Sequence, residues 1–99
     1  MPSYAFFDNK FVPLSEAKLG VMTNFFHYGT GVFEGIRGNW SGTKKQIYIF
    51  CLKEHYERLH QGCQVLKIDL PYTIDELCRI TVELVEKCGF QEDIYIRPL

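Results

Sequence analysis

No stretch of the 99-residue chain nears the run of roughly 18 apolar residues that a membrane-spanning helix needs. No block of one charge sign disturbs its balance of 11 basic and 12 acidic residues. The first absence excludes a helical membrane anchor from the reading. The second excludes a basic face for nucleic acid or anionic lipid. Cysteine is sparse and poorly spaced for metal. Cys51, Cys63, Cys78 and Cys88 form no close pair, whereas zinc ligands ordinarily come in such pairs. His27, His55 and His60 add no ligand spacing, so no metal is expected. A disulfide framework is not expected either, since Cys63, Cys78 and Cys88 fall at apolar positions of apparent helices, where a free thiol packs as a small hydrophobe. The opening Met1-Pro2-Ser3-Tyr4 has no basic stretch leading into an apolar one. No secretory signal is therefore expected, and cytoplasm is the expected compartment. No nucleophile–base signature appears, and Gly29-x-Gly31 lacks the rest of any nucleotide-binding motif.

What is present is ordinary in bulk and uneven in detail. A chain 46% hydrophobic and 23% charged reads as one small globular domain, or as one piece of a longer protein. Glycine, however, is concentrated: five of eight lie between Gly29 and Gly42, in and just after HYGTGVFEGIRGNW at residues 27–40. Glycine inside a helix or strand costs roughly 0.5–1 kcal/mol against alanine. A cluster of it marks backbone that must bend sharply or approach something closely.

Periodicity supplies the elements. Residues 4–8 and 10–14 read as two short strands around an Asp8-Asn9 turn. Residues 15–18 read as one helical turn and 19–24 as loop, with a short helix or turn over 25–28. Residues 35–40 and 46–50 read as a hairpin closed by the polar loop 41–45. The second of these strands is apolar on both faces, which predicts a central or doubly covered position. Leu52, Tyr56, Leu59, Cys63 and Leu66 mark one helix face, and Ile74, Leu77, Thr81, Leu84 and Cys88 another. Thr73 with Glu76 matches a capping box, Gly89 a C-terminal cap, and residues 94–99 a last strand. The expected class is α+β: a mostly antiparallel sheet with two helices packed on it.

Few residues invite chemistry. Tyr95 and Arg97, two apart on a strand, share a face at roughly 7 Å. A phenol beside a guanidinium suits a carboxylate, although an ordinary surface arginine is the plainer reading of the pattern. Arg58 flanks an apolar helix face, from which an arginine reaches the edge of a cleft and grips phosphate. The plainer reading there is a snorkelling surface residue. His27, Tyr28, Phe33 and Trp40 surround the glycines as aromatic walls suited to a small apolar ligand, or as a core corner. Glu34 and Arg37, three apart, are placed to pair.

Three ordered stretches also resemble a known family. HYGTGVFEGIRGNW at 27–40, EHYERLH at 54–60 and DIYIRPL at 93–99 are similar to branched-chain amino-acid aminotransferases. These are class IV (fold-type IV) enzymes that use pyridoxal 5′-phosphate. The opening FFDNKFVPLSEAKLGVMTNFFHYG fits the same pattern, so the resemblance spans nearly the whole chain. Relatives such as D-amino-acid aminotransferases and aminodeoxychorismate lyases tend to carry a GDG form of the glycine motif. The Gly29-Thr30-Gly31 form points instead to the branched-chain group.

The resemblance implies roles. Arg58 corresponds to the arginine that holds the cofactor's phosphate. Arg97 corresponds to the receiver of glutamate's side-chain carboxylate, and Tyr95 to the tyrosine near the substrate's α-carboxylate. Tyr28 and Phe33 correspond to walls of the apolar side-chain pocket and Gly35 to the close backbone approach beside it, with Arg37 in support. The reaction implied moves an amino group between leucine, isoleucine or valine and 2-oxoglutarate in a homodimer or larger assembly. The alternatives are another class IV enzyme, or a free-standing small domain that binds without catalysis.

One departure stands out. The family's Schiff-base lysine lies downstream in a large domain, and none of Lys10, Lys18, Lys44, Lys45, Lys53, Lys67 or Lys87 matches its motif. Residues 1–99 are therefore expected to be the N-terminal small domain alone, truncated and inactive by itself.

Overall fold

The computed structural model describes residues 3–19 and 32–98. The chain opens as a hairpin of β1 (Tyr4–Phe7) and β2 (Lys10–Pro13), paired antiparallel from Tyr4 opposite Pro13 to Phe7 opposite Lys10. Asp8 and Asn9 make the turn with φ of 52° and 64°. A two-residue turn of type I′ has positive φ at both positions, and these residue types tolerate it. A 3₁₀ turn at Leu14–Glu16 follows, one residue ahead of the expected helical turn. The expected loop over 19–24, apart from Leu19, and the turn over 25–28 lie outside the described residues.

A second sheet forms the centre of the domain. Its strands are β3 (Ile36–Ser41), β4 (Gln46–Ile49) and β5 (Ile94–Ile96), in spatial order β4-β3-β5, all antiparallel. The fold is thus α+β as expected, with two small sheets instead of one. The expectation that residues 46–50 form a central strand is corrected: β4 is an edge, with Tyr48 and Phe50 exposed. The central strand is β3, whose partner β5 arrives from the far end of the chain. Local alternation cannot report such a partner. The last strand stops at Ile96, short of the expected 99.

The inner face of this sheet packs on two helices, α1 (Leu52–Val65) and α2 (Ile74–Cys88). Ile36, Tyr56 and Leu59 form the buried centre, with Ile49, Leu52, Ile74, Leu77, Cys78 and Ile96 around them. Tyr56 hydroxyl bonds Thr81 Oγ1, and Thr81 donates to the Leu77 carbonyl at 2.8 Å, so the two buried hydroxyls are satisfied. Leu66, expected on the buried face, is exposed because α1 ends just before it. There Lys67 turns left-handed, and the Ile68 and Lys67 amides bond the Cys63 and Gln64 carbonyls.

Helix α2 carries both expected caps. Thr73 Oγ1 accepts from the Glu76 amide at 3.1 Å, and the Thr73 amide donates to Glu76 Oε1 at 2.9 Å. Gly89 closes it at φ 66°. The β1–β2 hairpin is tied to α2 and the loop before it by Phe6 against Tyr72 and by Lys87 over the Tyr4 ring. All four cysteines are free, with Cys63 and Cys88 buried.

Candidate functional site

The site is built on residues 32–35, an extended strap that leads into β3. The strap is fixed by the Glu34 amide, which donates to the Pro98 carbonyl at 3.0 Å just beyond β5. In extended backbone, neighbouring side chains point to opposite sides. Phe33 and Gly35 face the end of β5, and Glu34 faces α1.

On the β5 side, Tyr95 and Arg97 share the outer face as expected, and Arg97 Nη2 donates to the Tyr95 hydroxyl at 3.0 Å. The Arg97 guanidinium carbon lies 5.0 Å from the Phe33 ring centroid and 5.2 Å from that of Tyr95. Such cation–π contacts contribute roughly 0.5–1 kcal/mol at exposed positions. They hold the guanidinium over an aromatic floor while its remaining N–H groups stay available to an anion. Gly35 permits this arrangement: a Cβ there would collide with the Tyr95 hydroxyl and stand 2.8 Å from its Cζ. Arg37 sits directly opposite Tyr95 in the sheet register, exposed on the same face. The structure therefore gathers Phe33, Gly35, Arg37, Tyr95 and Arg97. Tyr28 and His27 lie outside the described residues.

On the α1 side, Glu34 is buried and Arg58 two-thirds exposed. Arg58 Nε donates to Glu34 Oε2 and Arg58 Nη2 to Glu34 Oε1, both at 2.7 Å. His55 Nδ1 stands 2.8 Å from Glu34 Oε1. The expected Glu34–Arg37 pair is corrected: the carboxylate turns to α1, because Glu34 and Arg37 leave the chain on opposite sides of the sheet. The Arg58 fork lowers the Glu34 pKa from 4.5 to about 2, against the upward push of burial, with His55 adding to the lowering. An ionised carboxylate only accepts, so His55 Nδ1 carries the hydrogen. Sequence reasoning missed Glu34 and His55 as partners of Arg58. The available signal was the three-residue spacing of His55 and Arg58, which puts both on one helix face.

Arg58 and His55 line an open pocket of about 220 Å³ with Phe50, Cys51 and Glu54. Among the described residues, Arg58 bonds run through one side of its guanidinium, Nε and Nη2, both to Glu34. The end-on fork of Nη1 and Nη2 faces away from that side and matches a phosphate. The donor set therefore fits the phosphate group that the sequence resemblance assigns to Arg58.

Arg58 and Arg97 thus lie on opposite sides of a four-residue strap, each with further guanidinium N–H donors directed outward. Residues 31–99 match the model of the family described as "Amino-transferase class IV". The chain belongs to the class IV aminotransferases. It is 50% identical over 96 residues to the probable branched-chain-amino-acid aminotransferase of Aquifex aeolicus, covering 97% of this chain and 31% of that protein. Among solved structures it is similar to the branched-chain aminotransferase of Thermoproteus uzoniensis with norvaline, at TM-score 0.89 and 41% identity over 98% of this chain and 32% of that one. It is also similar to the branched-chain amino acid aminotransferase of Thermobaculum terrenum in its PLP-form, at TM-score 0.87 and 34% identity over 97% of this chain and 31% of that one. The chain thus spans about a third of the length of the relatives it matches.

Proposed function

We propose that this chain is the N-terminal small domain of an enzyme that transfers amino groups between branched-chain amino acids and 2-oxoglutarate, with pyridoxal 5′-phosphate as cofactor. The observation that carries the reading is Arg97 stacked on Phe33 and bonded to Tyr95. One pocket must take both a leucine-like side chain and a glutamate side chain. Phe33 offers apolar wall to the first. Arg97, at the rim, meets the carboxylate of the second without leaving a charge buried and unpaired when leucine is bound. Tyr95 adds a hydroxyl donor for the α-carboxylate, and Arg37 adds positive charge on the same face. Arg58 would hold the cofactor's phosphate through its end-on fork. When bound, the cofactor supplies the electron sink for bond breaking at the substrate's α-carbon. This chain's own share is to grip, orient and discriminate. By the sequence resemblance, the covalent lysine would lie in a stretch that residues 1–99 do not span.

The test is Arg97→Ala in the full-length protein. Use of glutamate is expected to fall far more than use of leucine, read as kcat/KM for each. Equal losses would favour a class IV enzyme with different substrates. Turnover of leucine with 2-oxoglutarate by the 99-residue chain alone would refute the assignment of these residues to a supporting domain.

A further inference from the structure

Among the described residues Glu34 is the only charged side chain that is buried, and the transfer chemistry above gives it no task. Its position is costly unless its partners justify it, since a buried carboxylate must be paired and hydrogen-bonded. Those partners are specific. Two bonds of 2.7 Å join it side-on to Arg58, and His55 Nδ1 closes on the same Oε1. The strap that carries it is itself fixed through the Glu34 amide to Pro98. Arg58, by contrast, is a long side chain two-thirds exposed on a helix surface. Left alone it would sample many rotamers and lose that freedom each time it bound an anion.

We propose that Glu34 is the positioning residue for Arg58, using His55 as a second clamp, so that the guanidinium presents its end-on fork to the cofactor phosphate already aligned. The proposal rests on the reading of Arg58 as the phosphate holder and adds how that arginine is kept in place. It runs against simple electrostatics. A carboxylate behind the guanidinium reduces the positive potential that a phosphate meets, so a mere counter-charge would weaken the grip. A positioning carboxylate strengthens it, because alignment is fixed before the ligand arrives. The two roles therefore predict opposite signs for the same substitution.

The experiment measures the dissociation constants of pyridoxal 5′-phosphate and of phosphate-free pyridoxal by absorbance titration of the full-length apoprotein. The variants are Glu34→Gln, Glu34→Asp, Arg58→Ala and the double variant Glu34→Gln/Arg58→Ala. Glu34→Gln removes the charge and keeps the shape, while Glu34→Asp keeps the charge and shortens the reach. Both are expected to weaken pyridoxal 5′-phosphate about tenfold, by analogy with the loss of a partner behind a metal-holding side chain, and to leave pyridoxal unchanged. In the Arg58→Ala background, Glu34→Gln should have no further effect. A merely structural Glu34 would affect both ligands alike and would do so whether or not Arg58 is present. If Glu34→Gln fails to fold, Glu34→Asp carries the test alone. Tighter or unchanged binding in the Glu34 variants, with Arg58→Ala still weak, overturns the positioning role and spares the phosphate reading. Unchanged binding in Arg58→Ala overturns both.

Discussion

Two glycines three residues apart should respond differently to one methyl group, Gly38 in stability and Gly35 in binding. Gly38 lies in the middle of β3, opposite Ile94 on β5 and Ile49 on β4, with Ile47 diagonal to it on β4. A Cβ there would stand 2.7 Å from Ile94 Cγ1 and 2.9 Å from Ile47 Cγ2. Both neighbours are half-buried branched side chains on separate strands, so relief for one does not relieve the other. Overpacking of this kind costs about 1–3 kcal/mol, offset by about 0.4–1 kcal/mol from the stiffer unfolded chain. At the middle of both ranges Gly38→Ala is expected to lose about 1.3 kcal/mol, or roughly 5–10 °C in Tm on the scale of a domain this size. At Gly35 the obstacle is the phenol tip of Tyr95, 63% exposed. That tip swings into solvent, and the loss of one exposed hydrogen bond, about 0.5–1.5 kcal/mol, is largely cancelled by the same unfolded-state gain. Gly35→Ala should melt within a few degrees of the parent while displacing Tyr95 from Arg97 and weakening amino-acid binding. Thermal melts followed by circular dichroism, with KM for leucine and glutamate in the full-length protein, check both halves. Equal melting losses in the two variants, or an unperturbed Gly38→Ala, would refute the reasoning.

The remaining predictions are smaller in scope. Because the Glu34 pKa is depressed from 4.5 to about 2, its ion pair contributes stability above about pH 4.5, and that contribution is lost as pH falls towards 2. Glu34→Gln should flatten this part of the stability–pH curve, measured by urea unfolding; an unchanged slope would count against the pair. Thr73→Ala removes the acceptor of the α2 capping box and should cost about 1 kcal/mol, read by thermal melting, whereas Thr73→Ser should restore most of it.

Local chemistry made much of the fold legible. The Asp8-Asn9 turn, the Thr73–Glu76 box and the Gly89 cap each depend on residues within a few positions of one another, and each formed where the sequence placed it. Tyr95 and Arg97 on one face followed from the two-residue period of a strand. The two failures that bear on the site share one cause: their partners lie far along the chain. β4 became an edge because β5 took the other side of β3. Glu34 left Arg37, three residues away, for Arg58, 24 residues away. Alternating direction along the strap decides that choice, and it becomes visible only when the paths of α1 and β5 are known.

The strap is also a ruler. Phe33 and Gly35 serve the Arg97 side and Glu34 the Arg58 side only because residues 32–35 count correctly from the start of β3. One inserted residue would reverse the alternation, turning a carboxylate towards Arg97 and an aromatic ring towards Arg58. A length error in this segment is thus an error of charge at both ends. The Gly42–Lys45 turn at the other end of β3 is exposed and has no such duty, so it should accept added residues that the strap cannot.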